Sequence, residues 1–264
     1  MSINHKIIGE GHPVVILHGW SLDHQVMVNC LEPVFTNYND LKRIYIDLPG
    51  MGQSKSPETI QNSDDMLKAF LKFIDGLIPN EPFLVCGYSY GGYIARGITR
   101  FRRDLVKGIL LIAPGVNMDF DKRCLPEKKV LIEDPNLLSR LSPEEAEEFE
   151  SMAVVQGEQQ WQRFREEILI PSNNANPGFM EQIRENGYNF TFDVDADIPP
   201  FEHPTLIITG RQDHAVGYKD AWSLIDQYPR ATYAVLDMGG HNLQIEQPDL
   251  FESLIANWLD RLRY

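Results

Sequence analysis

A serine between two glycines is the residue of this chain whose setting most directly suggests chemistry. Ser89 lies between an apolar run at 82–86 and a helix-like stretch at 93–101, and Gly87 and Gly91 flank it at a distance of two residues. A strand, a sharp turn and a helix in this order form a nucleophile elbow, whose central residue has a strained backbone conformation. The glycines leave the space that such a turn needs. Ser89 is therefore the predicted nucleophile.

Two residues later in the chain have the chemistry needed to activate a serine. His241 follows a strand-like run at 231–236 and a pair of glycines. An imidazole in such a loop can take the serine proton and return it to a leaving group. Asp213 comes shortly after a buried strand at 206–208, and its carboxylate can hold the imidazole in the correct tautomer. Ser89, Asp213 and His241 are thus the predicted catalytic residues.

A tetrahedral intermediate also needs two N–H donors that are already in place around its oxyanion. A short apolar strand at 13–17 runs directly into His18, Gly19 and Trp20. We predict that the backbone N–H groups of Trp20 and of Tyr90, the residue after the nucleophile, form the oxyanion hole. For His18 and Gly19 we expect a structural role in shaping the loop.

These motifs, taken together, resemble the α/β-hydrolase superfamily, and within it the compact esterase-like members with a helical lid. The order Ser, Asp, His along the chain is the order of that fold. In that family the Asp-x-Pro-Gly-x-Gly-x-Ser segment is a structural turn, so we expect the same of Asp47, Gly50, Gly52 and Ser54. The matching segments span most of the chain, and they are His18-Gly19-Trp20, the turn at 47–54, the Ser89 elbow, Gly210-Arg211-Gln212-Asp213 and Gly240-His241.

The elements that must position these residues alternate along the chain. Apolar runs typical of buried strands are separated by stretches with helical periodicity. This alternation predicts an α/β fold with a mostly parallel central sheet and helices on both faces. Ligands bind beyond the carboxyl ends of such strands, where the three candidate residues fall. We predict strands at 14–17, 44–47, 83–86, 108–113, 205–209 and 232–236, and helices at 63–78, 93–101, 220–227 and 249–262.

The alternation stops between residues 116 and 200. This segment has helical patterns but no convincing buried strand, and Ser142-Pro143-Glu144-Glu145 is a capping box with proline at the first helical position. We predict an inserted helical lid, or cap, at 116–200 and a hydrolase-like core at 1–115 and 201–264. Large apolar residues of the lid either line an acyl or alcohol pocket or hold the lid onto the core: Phe149, Met152, Val155, Trp161, Phe164 and Phe179.

The charge of the chain limits the classes of partner. Residues 116–200 contain 18 acidic and 8 basic side chains and so carry 10 of the 14 net negative charges. Nucleic acids and anionic membranes are bound by basic patches, so this balance argues against both. We predict a small-molecule substrate that is neutral and partly apolar.

Three further features bear on compartment and cofactors. The cysteines, Cys30, Cys86 and Cys124, are odd in number and give no disulfide framework. Residues 1–11 lack the basic and apolar regions of a signal peptide, and no apolar run approaches the roughly 18 residues of a membrane helix. We therefore predict a cytoplasmic protein. The spacing of the polar residues indicates neither a metal site nor a phosphate-binding loop, and we predict no cofactor.

The predicted reaction is hydrolysis of a small carboxylic ester through an acyl-enzyme. Haloalkane dehalogenases and epoxide hydrolases of similar fold use an aspartate nucleophile, and Ser89 argues against both. Carbon–carbon bond hydrolases often extend the oxyanion loop with Gly-Pro-Gly, where this chain has Trp20-Ser21-Leu22-Asp23. That reaction stays open, as do cofactor-free perhydrolase, lactonase and thioesterase activities. A hydrolase-like ligand receptor with little turnover is the alternative from another class.

Overall fold

A single seven-stranded sheet organises the chain, in a computed structural model that describes residues 3–262. The strands are β1 (His5–Ile8), β2 (His12–Leu17), β3 (Leu41–Ile46), β4 (Phe83–Tyr88), β5 (Val106–Ile112), β6 (Thr205–Gly210) and β7 (Ala231–Leu236). Their order across the sheet is β1-β3-β2-β4-β5-β6-β7. All the neighbouring pairs are parallel except β1 and β3, so the sheet is mostly parallel, as predicted.

The predicted strands are all present, and the structure has one further strand, at the edge of the sheet, that the sequence does not predict. Strand β1 pairs antiparallel with β3, with His5 opposite Ile46. Its four residues are only partly buried or exposed, so its sequence lacks the apolar run that marks the central strands. In contrast, every residue of β4 and β6 is buried, because helices cover both faces of the sheet.

Helices cover the two faces of the sheet and form a separate hydrophobic core with each. On one face α2 contributes Met66 and Phe70 and α3 contributes Ile94, while on the other face α11 contributes Phe251 and Trp258. The helices are α1 (Gln25–Phe35), α2 (Ser63–Leu77), α3 (Tyr90–Phe101), α4 (Pro135–Leu138), α5 (Pro143–Met152), α6 (Glu158–Phe164), α7 (Ile170–Asn174), α8 (Pro177–Gly187), α9 (Lys219–Trp222), α10 (Leu243–Glu246) and α11 (Pro248–Arg261).

Two of the four helices predicted in the core differ from the prediction by more than one residue. Helix α3 begins at Tyr90, directly after Ser89, and not at residue 93. Gly91 and Gly92 are poor helix formers, so propensity places the start too late. The predicted helix at 220–227 is a short α9 followed by a 3₁₀ turn, Ile225–Gln227.

The segment predicted as a lid, 116–200, contains α4 to α8. Among the described residues, its β-type pairing is limited to an isolated bridge between Ile132 and Val155. The capping box at Ser142 is present, since its hydroxyl accepts from the N–H of Glu145 and the Glu145 side chain accepts from the N–H of Ser142. Between α6 and α7 the chain forms a π-helix, Arg165–Leu169. The boundaries of the lid and core stay a prediction, and residues 1, 2, 263 and 264 of the predicted core lie outside the described residues. Within residues 3–262, no helix has both the length and the apolarity to cross a bilayer.

Candidate active site

The backbone at Ser89 has the strained conformation that the elbow predicts. Its φ of 53° and ψ of −116° lie in a region that L-residues rarely adopt. A Cβ on Gly87 would lie 2.3 Å from the carbonyl oxygen of Gly91, and a Cβ on Gly91 would lie 2.4 Å from that of His18. Both contacts are with backbone and have no room to relax. The turn therefore requires glycine at both positions.

Hydrogen bonds fix the elbow to its neighbours. The Ser89 N–H donates to the carbonyl of Ile112 at the end of β5 (2.9 Å). The Ser89 carbonyl accepts from the N–H groups of Gly92 (3.0 Å), Tyr93 (3.2 Å) and Gly115 (3.0 Å). The backbone of the serine is thus held by both the helix that follows it and the adjacent strand.

The structure brings Ser89, His241 and Asp213 together, although they are distant in sequence. His241 Nε2 lies 3.0 Å from Ser89 Oγ. His241 Nδ1 lies 3.0 Å from Asp213 Oδ2. With its proton on Nδ1, the imidazole donates to the carboxylate and accepts from the serine hydroxyl. That is the arrangement a general base needs before it takes the serine proton.

Asp213 is fully buried and still disposed to be ionised. Its Oδ1 accepts from the N–H groups of Ala215 (2.9 Å) and Val216 (3.0 Å). Burial acts to raise the pKa of Asp213, but the charge and hydrogen bond of His241, with the two N–H groups, outweigh it and leave the pKa below its usual value. The carboxylate can therefore stabilise a protonated His241.

The two predicted oxyanion donors lie in segments that meet at Ser89. Tyr90 is the first residue of α3, where a backbone N–H has no acceptor within the helix. The loop after β2 passes close by, since a Cβ on Gly19 would lie 3.3 Å from the Cβ of Ser89. The Trp20 ring packs edge-on against the ring of Tyr90, with 4.8 Å between centroids. These contacts hold the predicted oxyanion loop against the elbow.

His18 has both ring nitrogens engaged away from the serine. Its Nδ1 lies 2.7 Å from the carbonyl of Gly19, and its Nε2 accepts from the N–H of Leu48 (2.9 Å). Burial lowers its pKa to about 4, so the ring is neutral at physiological pH. This bonding links the loop after β2 to the turn after β3, as expected of a residue that shapes the loop.

The turn after β3 is organised around Asp47. The Asp47 carboxylate accepts from the backbone and ring of His24 (2.8 Å each), from the side chain of Asn4 (2.7 Å) and from the N–H of Gln53 (2.9 Å). The Ser54 hydroxyl donates to the Asp47 carbonyl at 2.8 Å. These groups bind one another, which agrees with a structural turn.

A cavity of about 210 Å³ opens beside Ser89 and His241. It is lined by residues of the predicted core and by residues of α5, α6, the π-helix and α7. Among its lining residues that the structure describes, Glu148 carries the only carboxylate. The others are Gly19, Trp20, Ser21, Leu22, Tyr88, Met152, Phe164, Ile168, Leu169, Ser172 and Asn242.

The large apolar residues at 116–200 take the two roles left open by the sequence and also a third, in which they pack on one another. Met152 and Phe164 line the cavity. Phe149 and Trp161 pack with Phe164 in a small cluster that lies within this segment. Phe179 belongs to the core under α2 and α3. Met152 and Phe164, which line the cavity, are therefore packed against the small hydrophobic cluster of Phe149 and Trp161.

Two buried polar groups that the sequence does not predict hold the loop around His241. The Tyr88 hydroxyl donates to the Asn242 side chain at 2.8 Å. The Glu246 carboxylate accepts from the N–H groups of Gly240 (2.5 Å) and Val154 (2.7 Å). Burial raises the pKa of Glu246 to about 7, although these N–H groups oppose the shift. In the sequence, only the positions of Tyr88 next to Ser89 and of Glu246 near His241 could indicate these roles.

Comparison with known proteins identifies the family and the fold of the chain. Residues 14–254 match the model of the Alpha/beta hydrolase family. The chain is similar in structure to an alpha/beta superfamily hydrolase from Oenococcus oeni, with a TM-score of 0.91 and 32% identity over 99% of this chain and 97% of that one. It is 24% identical to a pimeloyl-[acyl-carrier protein] methyl ester esterase of Shewanella woodyi, over 98% of both chains. The fold is also that of a thermophilic esterase from Thermogutta terrifontis, with a TM-score of 0.69 and 20% identity over 99% of this chain and 94% of that one.

Proposed function

Since this chain belongs to the α/β hydrolase family and is a hydrolase, we propose that it cleaves small carboxylic esters through Ser89, His241 and Asp213. One observation carries the proposal: a single imidazole lies 3.0 Å from the hydroxyl of a strained serine and 3.0 Å from a buried carboxylate. The esterase names among the relatives support the choice of ester over other acyl bonds.

Acylation begins when Ser89 Oγ attacks the ester carbonyl carbon and its proton passes to His241 Nε2. The carbonyl oxygen becomes an oxyanion, and the N–H groups of Trp20 and Tyr90 stabilise it. When the tetrahedral intermediate collapses, the C–O bond to the alcohol breaks and His241 gives its proton to the leaving oxygen. Asp213 stabilises the imidazolium during these steps.

Deacylation repeats the sequence with water. His241 takes a proton from a water molecule, whose oxygen attacks the acyl carbon of Ser89. The second tetrahedral intermediate collapses, the carboxylic acid leaves and the proton returns to Ser89 Oγ. Esters suit this route better than amides, because an alkoxide is a better leaving group than an amide anion and the ester carbonyl is the more electrophilic.

The size and lining of the cavity support a small and partly apolar substrate. Its volume of about 210 Å³ is below the roughly 300–1,000 Å³ that is typical of sites for drug-sized ligands. We propose that residues 116–200 act as a lid, since Met152, Phe164, Ile168 and Leu169 form the wall that faces the core. An acyl or alcohol group of a few carbon atoms would fill this space.

Hydrolysis of p-nitrophenyl esters from acetate to octanoate tests the proposal. We expect the largest kcat/KM for the short acyl chains, because the cavity is small. Ser89→Ala should lower kcat by at least about 10³-fold on the best ester, since the mutant lacks the nucleophile. Circular dichroism and the melting temperature check that the mutant is folded.

Ser253→Ala is the matched control, because Ser253 is exposed on the outer side of α11, where its hydroxyl donates to the Asp249 carbonyl. Its activity should equal that of the wild type. If the wild type hydrolysed none of the esters, the ester proposal would be wrong and carbon–carbon bond cleavage or ligand sensing would replace it. If Ser89→Ala kept the wild-type rate, the serine mechanism itself would be wrong.

A further inference from the structure

Glu246 joins two segments that the sequence places far apart. It is the last residue of α10 and only 6% exposed. Its Oε1 accepts from the N–H of Val154, in the loop after α5, at 2.7 Å. Its Oε2 accepts from the N–H of Gly240, the residue before His241, at 2.5 Å. One carboxylate therefore binds the predicted lid with one oxygen and the histidine loop with the other.

The two backbone segments that Glu246 joins are also in direct contact. A Cβ on Gly240 would lie 2.7 Å from Cγ2 of Val154, so the Val154 side chain rests on the Gly240 backbone. On its other side, the Gly240 carbonyl oxygen would be 2.2 Å from a Cβ on Gly210, at the end of β6. Gly240 is thus enclosed between the lid loop and the strand that leads to Asp213. A shift of the Val154 loop must move the backbone next to His241.

The loop after α5 that contains Val154 is itself held by hydrogen bonds to another part of the predicted lid, so it can support the backbone at Gly240. The Val154 carbonyl accepts from the N–H groups of Leu131 (2.9 Å) and Ile132 (3.2 Å). A second contact from the lid reaches the same helix, since Arg163 donates to the carbonyl of Gln244 at 2.9 Å. Helix α10 is therefore tied to the lid at two points, and Glu246 is the point that also reaches the histidine loop.

We propose that Glu246 is a positioning residue that sets the place of the His241 imidazole by binding the lid loop at Val154 and the backbone at Gly240 together. The inference rests on the proposed function, in which His241 is the base. A reacting group displaced by about 1 Å can cost a factor of about 10² in rate. Loss of this link should therefore lower the rate of the chemical step and leave substrate affinity largely unchanged.

Glu246→Gln is the sharpest substitution, because it keeps the shape and removes one acceptor. A glutamine has one carbonyl oxygen and one NH₂ group, so one of the two backbone N–H groups would face a donor. Glu246→Asp keeps both acceptors on a shorter side chain and serves as the conservative variant. Glu252→Gln, on the next helix, is the matched control for the loss of a carboxylate.

Two readouts separate positioning from stability, both measured at least 15 °C below each variant's melting temperature. The first is kcat and KM on the best p-nitrophenyl ester. The second is the rate at which a fluorophosphonate labels Ser89, which depends on His241 but needs no knowledge of the substrate. For Glu246→Gln we expect kcat and the labelling rate to fall together by about 10- to 100-fold, with KM within about twofold of the wild type. Glu246→Asp should recover part of both rates, and Glu252→Gln should match the wild type.

Each outcome has a distinct meaning. If Glu246→Gln lowers only the melting temperature, while kcat and labelling stay within twofold of the wild type, Glu246 is structural and the inference is wrong. If Glu246→Gln does not fold, Glu246→Asp is held to the same criterion. If the wild type neither turns over an ester nor reacts with the fluorophosphonate, the proposed function fails first, and the inference fails with it.

Discussion

The serine side and the histidine side of the candidate site are held by different kinds of structure. Ser89 follows β4, which is buried along its whole length, and its turn is set by close backbone packing of Gly87 on Gly91 and of Gly91 on the end of β2. His241 follows β7, an edge strand that is mostly only partly buried, and its loop is held by the side chains of Tyr88 and Glu246. The serine is therefore fixed by backbone packing, whereas the loop of the histidine depends on hydrogen bonds from two side chains.

Asp213→Asn should have the largest effect, because Asp213 binds the imidazole that contacts Ser89. An amide in place of the carboxylate favours the wrong tautomer of His241 and cannot stabilise the imidazolium. We expect kcat on the best ester to fall by about 10³- to 10⁴-fold with little change in KM. Asp226→Asn, at an exposed position, is the control. A loss of less than tenfold in Asp213→Asn would mean that the carboxylate does not orient the base.

Gly91→Ala tests whether sterics alone fix the serine side. The new Cβ would lie 2.4 Å from the carbonyl oxygen of His18 and 2.6 Å from that of Leu17, and neither can move without displacing β2. We expect a loss of more than about 3 kcal/mol in the free energy of unfolding, measured by urea denaturation. Gly76→Ala is the matched control, since a Cβ there has nothing within 4 Å. It should stabilise α2 by about 0.5–1 kcal/mol. Equal effects of the two substitutions would refute the steric account.

The contrast between the two sides also explains what the sequence could predict. The elbow is predictable from sequence because its turn needs particular residues at three nearby positions, Gly87, Ser89 and Gly91. The sheet is predictable because its central strands are continuous apolar runs. Glu246 and Tyr88 were not identified, because their roles arise from hydrogen bonds to Val154 and Asn242 that no local pattern marks. Strand β1 was missed because it pairs on one edge only and buries little.

The free energy of unfolding should depend on pH, because the carboxylate of Glu246 that binds the loop of His241 is buried. Burial, with the nearby charge of Asp213, raises the pKa of Glu246 to about 7 from the ordinary 4.5 of a glutamate. Between pH 4.5 and 7 the folded protein then binds more protons than the unfolded chain, so this group's contribution to the free energy of unfolding falls as the pH rises. The fall should total about 3 kcal/mol and level off above pH 7.

Urea unfolding of the wild type and of Glu246→Gln at several pH values isolates this effect. Glutamine does not titrate, so the difference in the free energy of unfolding between the two proteins should change by about 3 kcal/mol between pH 4.5 and 7. A constant difference over this range would show that Glu246 is not held in a raised-pKa environment.

Tyr88→Phe tests the second side chain, besides Glu246, that holds the loop around His241. The substitution removes the hydroxyl that donates to Asn242 at 2.8 Å and leaves the ring, which packs against His241 with 5.3 Å between centroids. Because one hydrogen bond holding the loop is lost, we expect kcat to fall by about tenfold, close to 1.4 kcal/mol. Tyr45→Phe is the control, because that buried hydroxyl binds Glu32 away from the site. It should lower stability without lowering kcat.

Glu148→Gln should give the smallest effect and asks whether the proposed lid, residues 116–200, selects substrate in addition to its proposed support of His241. Glu148 is the only carboxylate among the described residues that line the cavity. It should disfavour an anionic substrate only weakly, since exposed charges interact weakly through water. We expect kcat/KM for p-nitrophenyl hemisuccinate to rise by about two- to fivefold relative to that for p-nitrophenyl butyrate, and the gain to shrink in high salt. Glu150→Gln, on the same helix but outside the lining, should leave the ratio unchanged. If Glu148→Gln did so too at low ionic strength, the acidity of the lid would play no part in substrate choice, and the contribution of the lid to the histidine side would be positional alone.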